Sequence, residues 1–512
     1  MKQVKYIKPD NLLLLSLAGV KLLVHVLVNA FGGYGIFRDE FYYWACADHL
    51  AWGYVDQPPF SIAVLAGWTA MFGDSMFSIR VLPVLCGAVV VFLTGKMVQE
   101  LGGNRFAQVL AATAVIVAPG FLALHGFYSM NAFDHLFWAV LLFIVIKIIQ
   151  TQNSKLWLLF GLVAGLGLQN KISVLFLIFG LGVGILLTFH RRWLLDKFLW
   201  MGAAIAGLLF LPHIVWQIQH NWPTLEFMSF AATYKNVSLS PVQFFVEQIV
   251  NMNPVTVWIW LGGLVALLVS KPLRPFRLFA VAYFAIFLLF VLQNGKPYYL
   301  FPIYPVLFAS GAAVFGALFS RRYIRWLKPA TLILLVTFGL LIVPLALPIL
   351  PVERFIQVSK VIGLTPSAGE NHEMGVLPQH FADMHGWEEM VAEIAQVYHA
   401  LPDSDKAAAS IYVQNYGEAG AIDYYRDKYN LPPALCGHNN YYLWGLRGQT
   451  GEVMIIFGGR QQDHEQVYES VEMVTRFTHP YVMPYENNQP IYICRGLKMP
   501  LNEVYPRTKH FG

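Results

Sequence analysis

The chain has 512 residues, 57% of them apolar and only 13% charged, with a formal net charge of +5. A soluble domain carries roughly 25% charged residues, so these figures describe a polytopic membrane protein. The small net charge, spread over short basic clusters between apolar runs, gives no indication of nucleic-acid binding.

The N-terminal MKQVKYIKPDN runs into LLLLSLAGVKLLVHVLVNAF. The outline is that of a signal peptide, but the apolar part is as long as a membrane span and no small-residue cleavage site follows, so it reads as a retained first span with the N-terminus inside. The pattern predicts about 11–13 spans, of which eleven are placed at 11–31, 79–99, 106–124, 132–149, 156–169, 172–189, 198–219, 254–270, 277–293, 298–318 and 329–350. The fifth is short and Gly-rich, and the stretch 58–73 is apolar but also short.

With the N-terminus inside, the inner turns collect Lys2, Lys5 and Lys8, then Lys96 with Arg105, Lys147 with Lys155, Arg191 with Arg192 and Lys197, Lys271 with Arg274 and Arg277, and the group from Arg321 to Lys328. The outer connections hold isolated cations: Arg38, Arg80, Lys171, Lys235 and Lys296. The positive-inside rule is satisfied through every span and puts the acidic pair Asp39-Glu40 on the outer face.

Residues 32–78 are too long and too aromatic for a simple turn. EFYYWACADHLAWG reads as an amphipathic helix in the membrane interface, with Trp44, Trp52 and the tyrosines at headgroup level. Pro58 and Pro59 then break the chain before a second short helix. A second outer loop, about 220–253, has the composition of a mobile lid over a cavity.

From about 351 the composition becomes that of a soluble domain, which divides the chain into a membrane domain, 1–350, and an extracytoplasmic α/β domain, 351–512. SIYVQ, EVMIIFG and PIYICRG read as strands; WEEMVAEIAQVYHAL, GEAGAIDYYRDKY and DHEQVYESVEMV read as helices. Within it GEAGAID lacks the spacing of a glycine-rich phosphate turn and reads as a helix start capped by Asn415. Cys436 and Cys494 are candidates for a disulfide if this domain faces an oxidising compartment. Catalysis is not expected here; the domain is read as shaping access for an acceptor.

Five polar motifs fall on the outer side of the membrane half: Arg38-Asp39-Glu40; Asp56-Gln57-Pro58-Pro59; HGFYSMNAFDH with Asn131 and Asp134; Lys171 in LQNKIS; and Lys296, Tyr298 and Tyr299 in QNGKPYYLFPIYP. A single membrane-edge charge is usually only solvated. Carboxylates and cations at one depth suit a phosphate-bearing substrate and a hydroxyl nucleophile. A transporter would also use such groups, and a metal site would draw on Asp39, Asp56, Asp134 and His125 or His135. Lone histidines near a helix end are more often structural, and aromatic belts account for many tyrosines. Spacing leaves these readings open.

The ordered series FRDEFYYWACADHLAWGYVDQPPF, SIRVLPVL, FYSMNAFDHLFW, GLGLQNKISVLF and GKPYYLFPIYPVLFASGA resembles the bacterial branch of the dolichyl-phosphate-mannose protein mannosyltransferase family, glycosyltransferase family 39, to which the aminoarabinose transferase of lipid A belongs. The likeness extends through YGEAGAIDYY and GHNNYYLWG. It implies a C-type glycosyltransferase fold and transfer of a sugar, with inversion, from an undecaprenyl-type phosphate to a lipid, glycan or protein acceptor at the outer face of the bacterial inner membrane. The competing class is a flippase of a lipid-linked sugar. By the resemblance Asp39 orients or deprotonates the acceptor hydroxyl, Glu40 is its neighbour, and Asp134 is a second acid. Asp39, Asp56 and Asp134 would be the ligands of a divalent metal, if one is used. The family's lipid A enzyme carries Lys where this chain has Gln57, so Arg80, Lys171 or Lys296, with Arg38, would have to contact the phosphate. Tyr298 and Tyr299 would meet the lipid or sugar.

Overall fold

A computed structural model describes residues 11–366 and 370–512. Among these, seven helices are long and apolar enough to cross a membrane: Asn11–Phe31, Met76–Glu100, Met130–Thr151, Lys197–Gln219, Arg274–Leu292, Pro297–Leu318 and Arg322–Ala346. Two sharply bent pairs, Val174–Leu187 with Phe189–Leu195 and Pro241–Asn251 with Pro254–Val269, raise the number to nine if each is one span. Several of the apolar segments expected as spans are thus not single long helices. The segment 106–124 is split where Pro119 opens a separate short helix, and the bent pairs turn by 112° and 95° at their breaks. Phe60–Phe72, Arg105–Ile116 and Leu156–Leu168 are apolar but shorter still.

The spans Met130–Thr151 and Pro297–Leu318 lie deepest, with 72% and 78% of their apolar windows covered by protein. Trp138, Trp260, Tyr283 and Tyr304 fill the space between them and their neighbours. Polar groups gathered at the starts of these two helices are thus held by the most tightly packed part of the bundle.

The C-terminal domain is a five-stranded sheet in the order β2-β1-β3-β5-β4, made of β1 (Ala409–Val413), β2 (Ala434–Cys436), β3 (Val453–Phe457), β4 (Tyr468–Phe477) and β5 (Gln489–Leu497). β1 pairs in parallel with β2 and β3, while β5 runs antiparallel to β3 and β4. The runs read as strands are β1, β3 and β5. DHEQVYESVEMV is different from its helical reading: a short helix, Gln461–Glu465, gives way to β4. β4 is an edge strand with most side chains exposed, and its Glu469 and Glu472 are the kind of charge that protects an edge from further pairing.

All four cysteines are free and buried. Cys436 on β2 and Cys494 on β5 are separated by β1 and β3. Three strand spacings amount to roughly 14 Å, beyond the ~7 Å limit of Cα atoms that a disulfide can join.

The aromatic segment after the first span is a helix, Arg38–Asp48, and its aromatic side chains are covered by protein. Phe41, Tyr42, Tyr43 and Trp44 are buried, and Phe41 and Trp44 pack against Tyr424 of the helix Tyr416–Tyr429, the first edge-on and the second tilted, with ring centroids 5.5 and 4.6 Å apart. Two glycines permit this approach: a Cβ on Gly417 would fall 2.4 Å from Arg38 Cγ, and one on Gly420 would fall 2.9 Å from the Phe41 carbonyl carbon. The glycines of GEAGAID therefore serve helix contact, and Asn415 caps the helix as its sequence predicts, accepting from Gly417 N and Glu418 N. Trp52 alone of the expected interfacial tryptophans is exposed.

Candidate functional site

Five segments distant in sequence line one cavity of about 230 Å³. They bring Arg38 and Asp39, then Asp56 and Pro58, then Ser129 to Asn131, then Lys171 to Ser173, and finally Lys296 with Tyr298 and Tyr299. All five polar motifs of the outer face therefore meet. The loop after the Lys197–Gln219 span closes over them with Thr224, Phe227, Met228 and Lys235, and the C-terminal domain adds Glu370, Tyr416 and Asn439.

Asp39 sits in the first turn of its helix, where the positive end of the helix dipole favours a carboxylate. Its Oδ1 accepts from the Tyr416 hydroxyl at 2.8 Å, and the side chain keeps about a third of its surface open (35%). Arg38 is held on the other side. Its terminal nitrogens donate to the hydroxyls of Tyr485 (2.6 Å) and Tyr416 (3.2 Å), and its Nε lies 3.9 Å from Asp383. Asp383 is buried, and burial pushes its carboxyl up to about 7 although Arg38 opposes that shift.

Asp56 Oδ1 lies 3.1 Å from the Tyr42 hydroxyl. Burial pushes its carboxyl from 3.8 to about 6, against hydrogen bonds from its own backbone and from Tyr42. A carboxyl with a raised folded-state pKa favours the fold most when neutral, so stability is lost as pH rises through about 4 to 6. Asp56→Asn is expected to raise the thermal unfolding midpoint at pH 8, by the equivalent of at most ~3 kcal/mol, and to change it little at pH 4. Equal shifts at the two pH values in detergent-purified protein would contradict this.

Lys171 is placed by four neighbours. Its Nζ donates to Asn131 Oδ1 at 2.7 Å, lies 3.8 Å from Asp134, and stands 4.9 Å above the Tyr299 ring and 5.3 Å above Tyr298. Lys296 donates to Glu370 at 2.8 Å, and Lys235 reaches the same carboxylate at 3.9 Å. Burial alone would lift Glu370, but His372 and the two lysines hold it far below the usual carboxylate range. Burial likewise works against the charge on Lys296, and Glu370 outweighs it, so its pKa is raised. The cavity wall thus carries Asp39 and Asp56 together with three lysines, two of which, Lys235 and Lys296, share Glu370.

Several expected site residues lie elsewhere. Glu40 is fully buried in an ion pair with Arg80, whose Nε and Nη2 donate at 2.8 and 2.6 Å. Its remaining acceptor capacity takes the amides of Phe37 and Tyr128. Neither Glu40 nor Arg80 lines the cavity, so the catalytic reading of one and the phosphate-binding reading of the other are corrected to a structural pair. Gln57 is buried off the cavity wall, with its carbonyl closing a turn to Tyr54 N. Asp134 accepts from Ser173 Oγ at 2.5 Å and lies 3.8 Å from Lys171 Nζ, so it anchors that cation and does not itself line the cavity. His125 and His135 bond to each other at 3.1 Å, away from the cavity.

A metal does not fit the set Asp39, Asp56 and Asp134. Asp134 is committed to Ser173 and Lys171, and among the described residues no group of three His, Cys, Asp or Glu side chains is placed to hold an ion.

Residues 56–216 match the family model described as dolichyl-phosphate-mannose-protein mannosyltransferase. The chain has the C-type glycosyltransferase fold. It superposes on ArnT from Cupriavidus metallidurans in the apo state with a TM-score of 0.61 and 14% identity, over 93% of this chain and 97% of that one. For the same protein bound to undecaprenyl phosphate the TM-score is 0.59 at 13% identity, over 95% and 98%. The arabinofuranosyltransferase AftD from Mycobacteria aligns with 98% of this chain and 41% of its own, at a TM-score of 0.50 and 14% identity. No curated protein sequence matches the chain. In this C-type fold the matched family segment carries Asp56 and Lys171, and it begins after Asp39.

Tyr416, Asn439 and Glu370 were not foreseen in the site. They come from the part of the chain set aside as remote from catalysis, and the string YGEAGAIDYY, part of the family likeness, was the one signal pointing to Tyr416. Lys235 was foreseen only as an outer-loop cation.

Proposed function

We propose that the protein is an integral-membrane glycosyltransferase that moves a sugar from a polyprenyl phosphate of the undecaprenyl type to an acceptor hydroxyl on the outer face of the bacterial inner membrane, with inversion. The observation that carries this is one cavity whose wall holds both an accessible carboxylate, Asp39, and the lysines Lys171, Lys235 and Lys296. Residues 1–350 form the membrane domain in this reading, and 351–512 the extracytoplasmic one.

The anomeric C–O bond to phosphate breaks through an oxocarbenium-like state, and the departing phosphate keeps the electron pair. Lys171 and Lys296 stabilise its charge, aided by Lys235. The acceptor oxygen bonds to the anomeric carbon from the opposite side while its proton passes to Asp39. Phosphate leaves without needing a proton, so one carboxylate with cations suffices. The acceptor is a hydroxyl of a lipid, glycan or protein, and no step is routed through a metal.

Purified protein in liposomes, given radiolabelled undecaprenyl-phosphate sugars and envelope fractions, is expected to release undecaprenyl phosphate together with labelled acceptor. Vectorial movement of intact lipid-linked sugar would overturn the reading in favour of a flippase, and binding without turnover would leave only a scaffold. Lys171→Ala and Lys296→Ala should each weaken undecaprenyl phosphate binding about tenfold, the scale of one hydrogen bond to a charged group. Quenching of intrinsic tryptophan fluorescence during lipid titration measures this, and unchanged affinity in both variants would remove the lysines from the phosphate site.

A further inference from the structure

We propose that the C-terminal domain completes the active site, with Tyr416 as the positioning residue that aims Asp39 at the acceptor; this rests on the glycosyltransferase reading above. Tyr416 has a single hydroxyl proton, and its neighbours determine where that proton points. Arg38 Nη2 donates into the oxygen at 3.2 Å, which leaves the proton for Asp39 Oδ1 at 2.8 Å. With Oδ1 occupied by a fixed donor, Oδ2 is the oxygen assigned to the acceptor hydroxyl.

The loop that presents Tyr416 is held from several directions. Asn415 Oδ1 accepts from Gly417 N and Glu418 N at 2.9 and 3.1 Å, and the Glu418 carboxylate returns to Gln414 N and Asn415 N at 2.7 and 3.1 Å. Asn415 Nδ2 also donates to Glu486 at 3.0 Å. A hydroxyl mounted on so determined a turn serves as a rigid reference for a side chain that is itself partly open to the cavity. Gly417 and Gly420 bring this turn against the helix that starts at Arg38.

The same domain also holds the second cavity carboxylate. Asn440 Oδ1 accepts from Val55 N at 2.7 Å and so fixes the turn that carries Asp56. Asn440 N donates weakly to the Tyr42 oxygen at 3.4 Å, and the Tyr42 hydroxyl stands 3.1 Å from both Asn440 Oδ1 and Asp56 Oδ1, between the C-terminal domain and that carboxylate. Tyr42 and Tyr416 pack with ring centroids 4.8 Å apart. Two phenols side by side thus hold Asp56 and Asp39, and both depend on residues after position 409 for their placement.

The test uses the full-length protein with Tyr416→Phe, which keeps the ring packed on Tyr42 and His438 and deletes one oxygen. Transfer from radiolabelled undecaprenyl-phosphate sugar to envelope acceptors is measured beside binding of undecaprenyl phosphate and thermal unfolding. The expected result is a kcat lowered about tenfold or more, with donor KM and lipid affinity within about twofold of wild type and an unchanged unfolding midpoint. Tyr424→Leu, which loosens the same interface at Trp44 without touching Asp39, is expected to keep wild-type kcat. An unchanged kcat in Tyr416→Phe, or equal losses in both variants, would overturn the positioning role while leaving the transferase reading in place. A wild-type protein that transfers no label sinks the transferase reading, and the positioning role with it.

Discussion

Asp39→Asn is expected to fold normally, bind undecaprenyl phosphate with wild-type affinity and transfer sugar at least about 100-fold more slowly, the usual scale of a lost general base. Asparagine occupies almost the same volume, and its amide oxygen accepts from Tyr416 as the carboxylate does at 2.8 Å. The helix loses one favourable charge in its first turn, worth only about 0.3–1 kcal/mol, while Glu40 and its four donors remain. What disappears is the capacity to take a proton. The lysines lie on other segments of the cavity wall, so donor affinity is the internal control. Initial rates of label transfer, set beside lipid titrations on the same preparation, separate the two quantities. Full activity in this variant would remove Asp39 from the chemistry, and a parallel loss of lipid affinity would move it to the donor site.

Asp39, Lys171 and Lys296 were legible in the sequence because charge topology places them at one membrane depth, and cations or carboxylates at that depth gather where a polar cavity exists. The partners of those groups were not legible. Glu40 and Arg80 stand at the same predicted depth as Asp39, and composition alone does not distinguish a charge turned into a cavity from one turned into the bundle. Arg80 faces the helix that starts at Arg38 and finds Glu40 there, whereas Asp39, one residue earlier, is rotated by about 100° to the open side. Asp134 was misread for a similar reason: its helix starts at the cavity, but its own position is one turn deeper, beside Lys171. The span near 106–124 was counted as whole because hydropathy registers apolar length and is blind to the break before Pro119. In the C-terminal domain the central strands were legible as continuous apolar runs. β4 was not, since an exposed edge strand mixes polar and apolar side chains with no buried face to set a period of two.

The buried pair carries the second large effect. Arg80→Met is expected to destabilise the fold by about 3–5 kcal/mol, because Glu40 would be left buried without its counter-charge and two of its donors. That is a large share of the roughly 5–15 kcal/mol that typically separates folded from unfolded states. Glu40 also ties three pieces of chain together through four hydrogen bonds: it caps the helix Arg38–Asp48 through Phe37 N, accepts from Tyr128 N, and receives two donors from the span Met76–Glu100. Losing the arginine loosens the start of the helix that presents Asp39. The double variant Arg80→Met with Glu40→Gln leaves no net buried charge and should recover a substantial part of the lost stability, a coupling that a double-mutant cycle reads directly. An Arg80 that contacted donor phosphate would behave in the opposite way: the single variant would keep its unfolding midpoint and lose lipid affinity, and adding Glu40→Gln would restore nothing. Thermal unfolding and undecaprenyl phosphate binding, measured on the wild type, both single variants and the double, decide between a clamp beneath the catalytic helix and a hand on the substrate.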